Sequence, residues 1–233
     1  MTTRTALWLS LSLNLIVSAL ALGGSVWPNV ETTFNLDVDT PVLSPSTYVH
    51  PQASVTGSVT LGQRVFVAPQ ASVRGDEGQN IHVGDDSNVQ DGAVIHGLET
   101  HEDGHELVEN EVHVSGRSYS VYIGNRVSLA HQSQVHGPAK IGDNTFIGMQ
   151  ALVFKASLGD HVVVEPGAKV VGVKIGSNRY VPGLSMITSQ AQADALPVIR
   201  EDYAWGKLNE AVVRVNTQLA VQGKKRDRSV AKY

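Results

Sequence analysis

Aliphatic residues recur at every sixth position along most of this chain, and that period constrains the fold more than any other feature. In a parallel β-helix each hexad of residues forms one flat side, three hexads close a triangular coil, and the aliphatic residues stack inside. Glycine often follows the aliphatic residue, as at Gly62 and Gly84. The sequence therefore predicts an all-β solenoid of hexapeptide repeats. The aliphatic series is Val49, Val55, Leu61, Val67, Val73, Val83, Val89, Ile95, Ile123, Leu129, Val135, Ile141, Ile147 and Val153, then, with single-residue slips, Leu158, Val164, Val170, Ile175, Val181 and Ile187.

The repeats also divide the chain into segments. We expect the β-helix over residues 49–188, with an acidic loop at about 97–120, where the period is interrupted. Residues 189–233 should hold a C-terminal α-helix over about 201–222, followed by a basic tail, because apolar residues there follow helical spacing. Those apolar residues are Tyr203, Leu208, Val212, Val215 and Leu219.

The first 24 residues have the composition of a secretory signal peptide. Arg4 supplies a positive start, residues 6–21 are mainly apolar, and Ala19-Leu20-Ala21 offers small residues for cleavage. An uncleaved anchor is the alternative, although the run is somewhat short to span a bilayer. We expect cleavage, a secreted or periplasmic mature protein without membrane association, and an N-terminal arm at residues 25–48.

The amino-acid composition excludes several kinds of site. The chain has no cysteine, which rules out disulfides, iron–sulfur clusters, thiolate zinc sites and cysteine nucleophiles. Its formal net charge of −4 provides no basic surface for nucleic acid, so we expect no nucleic-acid partner. A transition-metal site would therefore have to use histidine, aspartate or glutamate.

Two of the nine histidines occupy equivalent positions in the repeat. His96 follows Ile95 and His136 follows Val135, and one coil separates them if residues 97–120 leave the solenoid. The two histidines should then be neighbours on adjacent strands, about 4.8 Å apart. Side chains alternate between the two faces of a strand, so both imidazoles should point outward, where they can share one metal ion.

His131 lies five residues before His136, in the preceding hexad. An extended chain of that length covers roughly 16 Å, whereas a metal–nitrogen bond is about 2.0–2.1 Å long. His131 should therefore not reach a metal held by its own His136, but it can reach one held by a neighbouring subunit. Three chains around a threefold axis would form three such sites, each with three protein ligands and an open position, as in catalytic zinc sites.

Five longer motifs lie within and after the repeats: RGDEG (74–78), SNVQDG (87–92), HGLET (96–100), YIGNRVSLAHQSQVHGPAKIGDNTFIGMQALVFK (122–155) and NEAVVRVN (209–216). With these motifs the chain resembles the γ-class carbonic anhydrases from about Pro41 to Leu219. The resemblance implies a left-handed β-helix and a homotrimer. It also implies one divalent metal at each subunit interface, Zn²⁺ or else Fe²⁺ or Co²⁺, held by His96, His131 and His136. The implied activity is reversible hydration of carbon dioxide to bicarbonate and a proton by a metal-bound hydroxide.

The resemblance also implies roles for polar residues near the metal. Glu77 matches the glutamate beside the metal-bound water, and Gln90 matches the glutamine that orients the hydroxide. Asn216 matches an asparagine near the substrate. Arg74 matches an arginine that pairs with Asp76 between subunits and can steady bicarbonate. Without the resemblance, Glu77 and Gln90 would be ordinary polar residues of a turn and a coil.

Glu99 matches the glutamate that carries protons out of the site. It lies three residues after His96, in an acidic loop whose other carboxylates we expect to be solvated. His101 and His105 are also candidates for proton transfer, because imidazole titrates near neutral pH. We rank both below Glu99. Arg214 departs from the prototype of the class, which has a tyrosine at this position, and should modify the pH dependence of the activity without abolishing it.

Two other functions stay open. A hexapeptide-repeat acyltransferase would share the repeat, but it needs neither the three spaced histidines nor the acidic loop. A non-catalytic relative that serves as a scaffold would often have lost ligands, yet this chain keeps all three histidines together with Glu77 and Glu99.

Overall fold

Residues 26–230 are described by the computed structural model, with side chains up to residue 227, so the expected signal peptide lies outside the described residues. The chain winds into a parallel β-helix whose three flat sides are three sheets of parallel strands. We number strands and helices in chain order and name the sheets A, B and C.

Every strand is short, from two to four residues, as expected for one flat side of a coil. Sheet A contains β1 (Val26–Trp27), β4 (Ser54–Gly57), β7 (Ser72–Gly75), β10 (Val94–His96), β17 (Gln134–His136), β20 (Leu152–Phe154), β23 (Lys169–Val171) and β26 (Met186–Ile187). Sheet B contains β2 (Val42–Leu43), β5 (Val59–Leu61), β8 (Ile81–Val83), β15 (Val121–Ile123), β18 (Ala139–Ile141), β21 (Ser157–Leu158) and β24 (Lys174–Ile175). Sheet C contains β3 (Tyr48–Val49), β6 (Phe66–Val67), β9 (Asn88–Val89), β16 (Ser128–Leu129), β19 (Phe146–Ile147), β22 (Val163–Val164) and β25 (Tyr180–Val181).

The aliphatic residues of the repeat fill the interior. In sheet A, Val55, Val73, Ile95 and Val135 lie opposite one another on successive strands, and all four are buried. Each inward aliphatic side chain therefore packs on its equivalents in the coils above and below, and the removal of this apolar surface from water stabilises the stack. The left-handed parallel β-helix expected from the repeat and the resemblance is confirmed.

A ladder of polar side chains at one corner explains why glycine follows the aliphatic residue. The backbone N–H of Asp85 donates to Asn125 Oδ1 at 2.9 Å, and that of Asn125 donates to Asp143 Oδ1 at 2.8 Å. Successive coils come so close here that a Cβ on Gly84 would lie 2.6 Å from the carbonyl carbon and oxygen of Gly124. Glycine is required for this approach because any other residue would displace backbone.

The acidic loop leaves the solenoid where the sequence indicates. After β10, the loop forms two antiparallel hairpins, β11–β12 (His101–Glu102 and His105–Glu106) and β13–β14 (Val112–Val114 and Arg117–Tyr119), separated by a 3₁₀ turn at Val108–Asn110. The coil resumes at β15. Strands β10 and β17 are then neighbours, with Ile95 opposite Val135 and His96 opposite His136, so the predicted register is confirmed.

The segment expected as an N-terminal arm before residue 49 is part of the solenoid. β1 pairs with β4, with Val26 opposite Val55, and β2 pairs with β5, with Leu43 opposite Leu61. The six-residue period does not reveal these strands because residues 28–41 make a detour between them. The boundary at residue 49 is therefore wrong, and the first coil begins at Val26.

The C-terminal helix begins and ends later than predicted. Residues 201–207 form turns, and the long helix α2 spans Leu208–Val230, so most of the expected basic tail is helical. The helix packs across β3, β6, β9 and β16 of sheet C through a stripe at Asn209, Val213, Asn216 and Ala220, all of which are buried. Val215 and Leu219, which the sequence placed on the packed face, are 52% and 47% exposed. Leu208 and Val212 do pack against sheet C, so apolar spacing is right at these two positions but misses the two asparagines. Within residues 26–230, no helix is both long and apolar enough to cross a bilayer.

A short helix, α1 (Gln190–Asp194), covers the last coil of the solenoid. The side-chain amide of Gln190 accepts from the backbone N–H of Lys174 at 3.0 Å and donates to its carbonyl oxygen at 2.8 Å. The N–H of Tyr180 donates to the carbonyl of Pro197 at 3.1 Å. Ala193, on α1, is buried against the solenoid core, so this segment closes the C-terminal end.

Candidate active site

His96 and His136 form the centre of one half of the site, on the outer surface of sheet A. His96 Nδ1 lies 3.2 Å from His136 Nε2. The other nitrogen of each ring has its own acceptor: His96 Nε2 lies 3.2 Å from Glu77 Oε1, and His136 Nδ1 lies 3.3 Å from the carbonyl oxygen of Gly137. This pattern assigns the ring protons to those outer nitrogens, so two lone pairs face each other between the rings.

Two facing lone pairs fit a metal ion between them. Two nitrogens bound to one tetrahedral metal at about 2.0–2.1 Å are about 3.3 Å apart, given the tetrahedral angle. The observed separation of 3.2 Å matches that geometry. Burial, and then the positive charge of Arg74, lowers the pKa of His96 and favours the neutral imidazole that metals bind. The pair therefore fits two of the three predicted ligands.

Two carboxylates stand on the outer side of His96. Asp76 Oδ1 lies 3.3 Å from His96 Nε2, and Arg74 holds Asp76 through an ion pair of 2.8 Å. Within one chain Arg74 therefore already has Asp76 as a partner, and the pairing between subunits that the resemblance implies stays a prediction. Burial, and then the charge of Asp76, raises the pKa of Glu77, which suits a carboxylate that exchanges protons.

Glu99 shares a small cavity with Glu77. The cavity has a volume of about 320 Å³, and its lining also includes His101 and the N-terminal residues Thr33 and Phe34. The charge of Glu99 adds to the rise in the pKa of Glu77, so the two carboxylates interact electrostatically. This is the placement expected for a residue that accepts protons leaving Glu77.

The other half of the site lies on a different side of the same chain, where α2 crosses sheet C. His131 has a side chain that is 56% exposed, and its Nδ1 lies 3.1 Å from Asp91 Oδ2. With the ring proton directed at Asp91, Nε2 is available to a metal, an arrangement common around metal-ligating histidines. Gln90 and Asn216, both buried, line the same cavity of about 520 Å³.

A single chain does not bring the two halves together. Among the described residues, Asp76, Glu77 and His96 are the group whose possible ligand atoms converge within 4.8 Å, and His131 is outside it. His96 and His136 lie on sheet A, whereas His131 follows β16 of sheet C. This placement agrees with the argument that His131 cannot reach the metal of its own His136. A site shared between subunits stays a prediction.

Arg214 lies in neither half of the site. It lines a cavity together with Arg64, Arg126 and Lys207, and Ala211 of α2 lines both this cavity and the one that holds Asn216. The change in pH dependence stays a prediction.

Sequence reasoning misses residues that support the site. Asp91 orients His131. It directly follows Gln90 in the motif SNVQDG, and this position next to a predicted site residue indicates a place near the site. Asn110 is buried and donates to the carbonyl oxygen of Glu99 at 2.8 Å. It lies in the irregular loop, where no repeat indicates which residues will meet.

We expect Glu77→Gln to stabilise the metal-free protein while it lowers activity. Folding raises the pKa of Glu77 above its usual value of 4.5, so the ionised carboxylate costs stability above the raised pKa. That cost disappears as the pH falls below the usual value, because the carboxyl is then protonated in both states. Thermal unfolding of metal-free protein should show a higher Tm for the variant at pH 8 and a clearly smaller difference at pH 4. An equal difference at both pH values would contradict the assignment.

Comparison with known proteins places this chain among established relatives. No family model matches it. The carbonic anhydrase of Methanosarcina thermophila is 55% identical over 193 residues, which cover 82% of this chain and 78% of that protein. The carboxysome assembly protein CcmM of a Nostoc species is 41% identical over 155 residues, 66% of this chain but only 26% of CcmM. The mitochondrial gamma carbonic anhydrase 2 of Arabidopsis thaliana is 31% identical over 153 residues, 65% of this chain and 48% of that protein.

Comparison with solved structures supports the fold and says nothing about the activity. A hexapeptide transferase family protein from Anaplasma phagocytophilum superposes with a TM-score of 0.58 at 19% identity, over 78% of this chain and 92% of that protein. The identity of more than half over most of both chains, together with the facing histidines, decides the family. The chain belongs to the γ-class carbonic anhydrases.

Proposed function

We propose that the protein is a homotrimeric, metal-dependent carbonic anhydrase that interconverts carbon dioxide and bicarbonate. One observation carries the proposal: each chain holds two incomplete halves of a three-histidine ligand set on different sides. His96 and His136 face each other at 3.2 Å and lack a third histidine nearby within the described residues, while His131 is held by Asp91 with its outer nitrogen exposed.

The surfaces around both halves support a trimer. Exposed Val215 and Leu219, with Phe66 and Pro69, line the cavity beside His131. On sheet A, the outward-facing Phe154 lies opposite His136 on the next strand. Apolar side chains are typical of the buried core of protein interfaces. When the contact joins two different surfaces, three chains around a threefold axis form a closed ring in which every contact is the same. Each of the three interfaces would then join one half from each of two chains.

Three imidazole nitrogens suit several divalent metals. We propose Zn²⁺ at each interface, with Fe²⁺ or Co²⁺ as alternatives, because nitrogen ligands accept all three. When bound, such a metal lowers the pKa of a water molecule to about 7 and so supplies the nucleophile for carbon dioxide.

The chain's own residues position the substrate, bind bicarbonate and transfer the proton. Glu77 accepts the proton and passes it to Glu99 across their shared cavity. Gln90 is held in one orientation because its Nε2 donates to Asn88 Oδ1 at 2.9 Å. It lines the cavity with Asn216, where both amides can position substrate. Arg74 reaches within 3.4 Å of His96, so its guanidinium can bind the bicarbonate anion.

Stopped-flow hydration of carbon dioxide tests the proposal. Metal-free protein should be inactive, and protein loaded anaerobically with Zn²⁺, Fe²⁺ or Co²⁺ should turn over with one metal per chain. A trimer that binds metal without hydration in any of the three forms would favour a scaffold. Acyl transfer that a chelator leaves unchanged would favour an acyltransferase.

We also propose that the mature protein lies outside the cytoplasm. Its first described strand begins at Val26, immediately after the segment with signal-peptide composition, so cleavage near residue 24 would leave the solenoid complete. Intact mass measurement of the protein exported by a bacterial host should give an N-terminus near residue 25. Retention of residues 1–24 would contradict this.

A further inference from the structure

Building on the proposed carbonic anhydrase activity, we propose that His101 is a second proton-relay residue, which takes protons from Glu99 and passes them to bases in solution. His101 begins the β11–β12 hairpin and is half-buried. Four observations carry this proposal: how His101 is anchored, which group its Nδ1 contacts, which cavities it lines and which charges surround it.

The anchor of His101 starts on the turn that carries Glu77. Thr100 is completely buried, and its backbone N–H and its hydroxyl both donate to the carbonyl oxygen of Glu77, at 3.0 and 3.4 Å. The hydroxyl oxygen in turn accepts from the N–H of Gln79 at 2.8 Å. Gly78 has a φ of +110°, and a Cβ there would overlap the Thr100 hydroxyl. The loop can therefore touch this turn only because residue 78 is glycine.

The same hydroxyl lies next to His101. His101 Nδ1 lies 3.2 Å from Thr100 Oγ1. In the tautomer with the ring proton on Nδ1, His101 donates to Oγ1 while the hydroxyl donates to the carbonyl of Glu77. In that tautomer Nε2 keeps its lone pair and is the atom that can take up a proton.

His101 lines two adjacent cavities. The first, of about 320 Å³, contains Glu77 and Glu99. The second, of about 390 Å³, extends past His101 to Asp37 and Asp39 of the N-terminal region. His101 thus lies where the cavity of Glu77 and Glu99 adjoins the cavity of Asp37 and Asp39.

The charged residues that line the two cavities with His101 or pair with it in the hairpin are acidic. On its own hairpin the neighbours are Glu102 and Asp103, with Glu106 directly opposite in the strand pair. The other elements contribute Glu77, Glu99, Asp37 and Asp39. Asn35 keeps the N-terminal wall in place, since it is buried and donates to the carbonyl oxygen of Asp76 at 3.2 Å.

The proposed relay moves one proton per turnover. Carbon dioxide and water give bicarbonate and a proton. The Glu99 carboxylate takes that proton and then transfers it to His101 Nε2, which returns Glu99 to its ionised form. A buffer base removes the proton from His101, so both side chains end as they began and no electrons are transferred.

The buffer dependence of the metal-loaded enzyme tests the relay. Initial rates of hydration would be measured over a range of buffer concentrations for the wild type and for His101→Ala. His105→Ala is the matched control, because His105 is an exposed histidine of the same hairpin and is not among the cavity-lining residues described. In His101→Ala we expect kcat to fall about 5–10-fold at low buffer, with kcat/KM for carbon dioxide unchanged. Added imidazole should restore kcat, and His105→Ala should behave as the wild type.

The outcomes separate the relay from the proposed function. A wild type without hydration activity in any metal form would overturn the proposed function and the relay with it. An active wild type with an unchanged kcat in His101→Ala at low buffer would overturn the relay alone. A parallel fall in kcat and kcat/KM that imidazole does not restore would overturn it too, because His101 would then act only on the structure.

Discussion

Replacing His131 with alanine should lower carbon dioxide hydration by at least about a hundredfold, since it removes one ligand from every metal. Hydration activity should partly return when His131→Ala is mixed in equal amounts with a second inactive variant, His96→Ala, and the two chains are unfolded and refolded together. With random mixing about three quarters of the trimers contain both variants, and each mixed trimer has one complete site out of three. The mixture should therefore recover about a quarter of the wild-type activity.

The matched control mixes His96→Ala with His136→Ala. These two histidines lie in the same half of the site, on adjacent strands of one chain, so no arrangement of the two variants rebuilds a pair. We expect this mixture to stay inactive. Recovery in the control, or none in the first mixture, would show that the three histidines are not divided between chains as proposed.

Substitution of Gly84, at the corner where successive coils lie close together, should have the largest effect on stability. In Gly84→Ala the new Cβ would lie 2.6 Å from the backbone carbonyl of Gly124 in the next coil, so backbone must move. We expect a loss of about 2–3 kcal/mol. Thermal unfolding should report this as a fall in Tm of about 5–10 °C.

Gly176 provides the control for this substitution. It follows Ile175 at the equivalent position of the last coil, yet no described atom lies within 4 Å of a Cβ built on it. Gly176→Ala should leave Tm unchanged or raise it slightly, because alanine reduces the entropy of the unfolded chain. Similar losses in both variants would mean that the cost comes from glycine's backbone freedom and not from the approach of the next coil.

The regular part of the molecule could be predicted because a β-helix converts spacing in sequence into position in space. One coil separates Ile95 from Val135, and the strands pair in that register, so the neighbours His96 and His136 followed from counting. The place of His131 in the preceding hexad also followed. That regularity let sequence alone indicate that one chain cannot complete the ligand set.

The irregular parts could not be predicted in the same way. The buried stripe of α2 includes Asn209 and Asn216, so a search for apolar spacing chose Val215 and Leu219 instead. Thr100 meets the turn at Glu77 from a loop that leaves the coil, and no period relates the two positions. Contacts of this kind depend on tertiary packing, which overrides local pattern.

The side chain of Gln190 has a consequence for how the molecule behaves at high concentration. A solenoid that simply stopped would present unpaired strands, on which another chain could add by the same hydrogen bonds that join its own strands. Gln190 uses its amide to occupy both bonding groups of Lys174, as a further strand would, and the chain after it occupies Tyr180. The C-terminal ends of sheets B and C are thus covered by the chain itself, which disfavours end-to-end polymerisation into fibres.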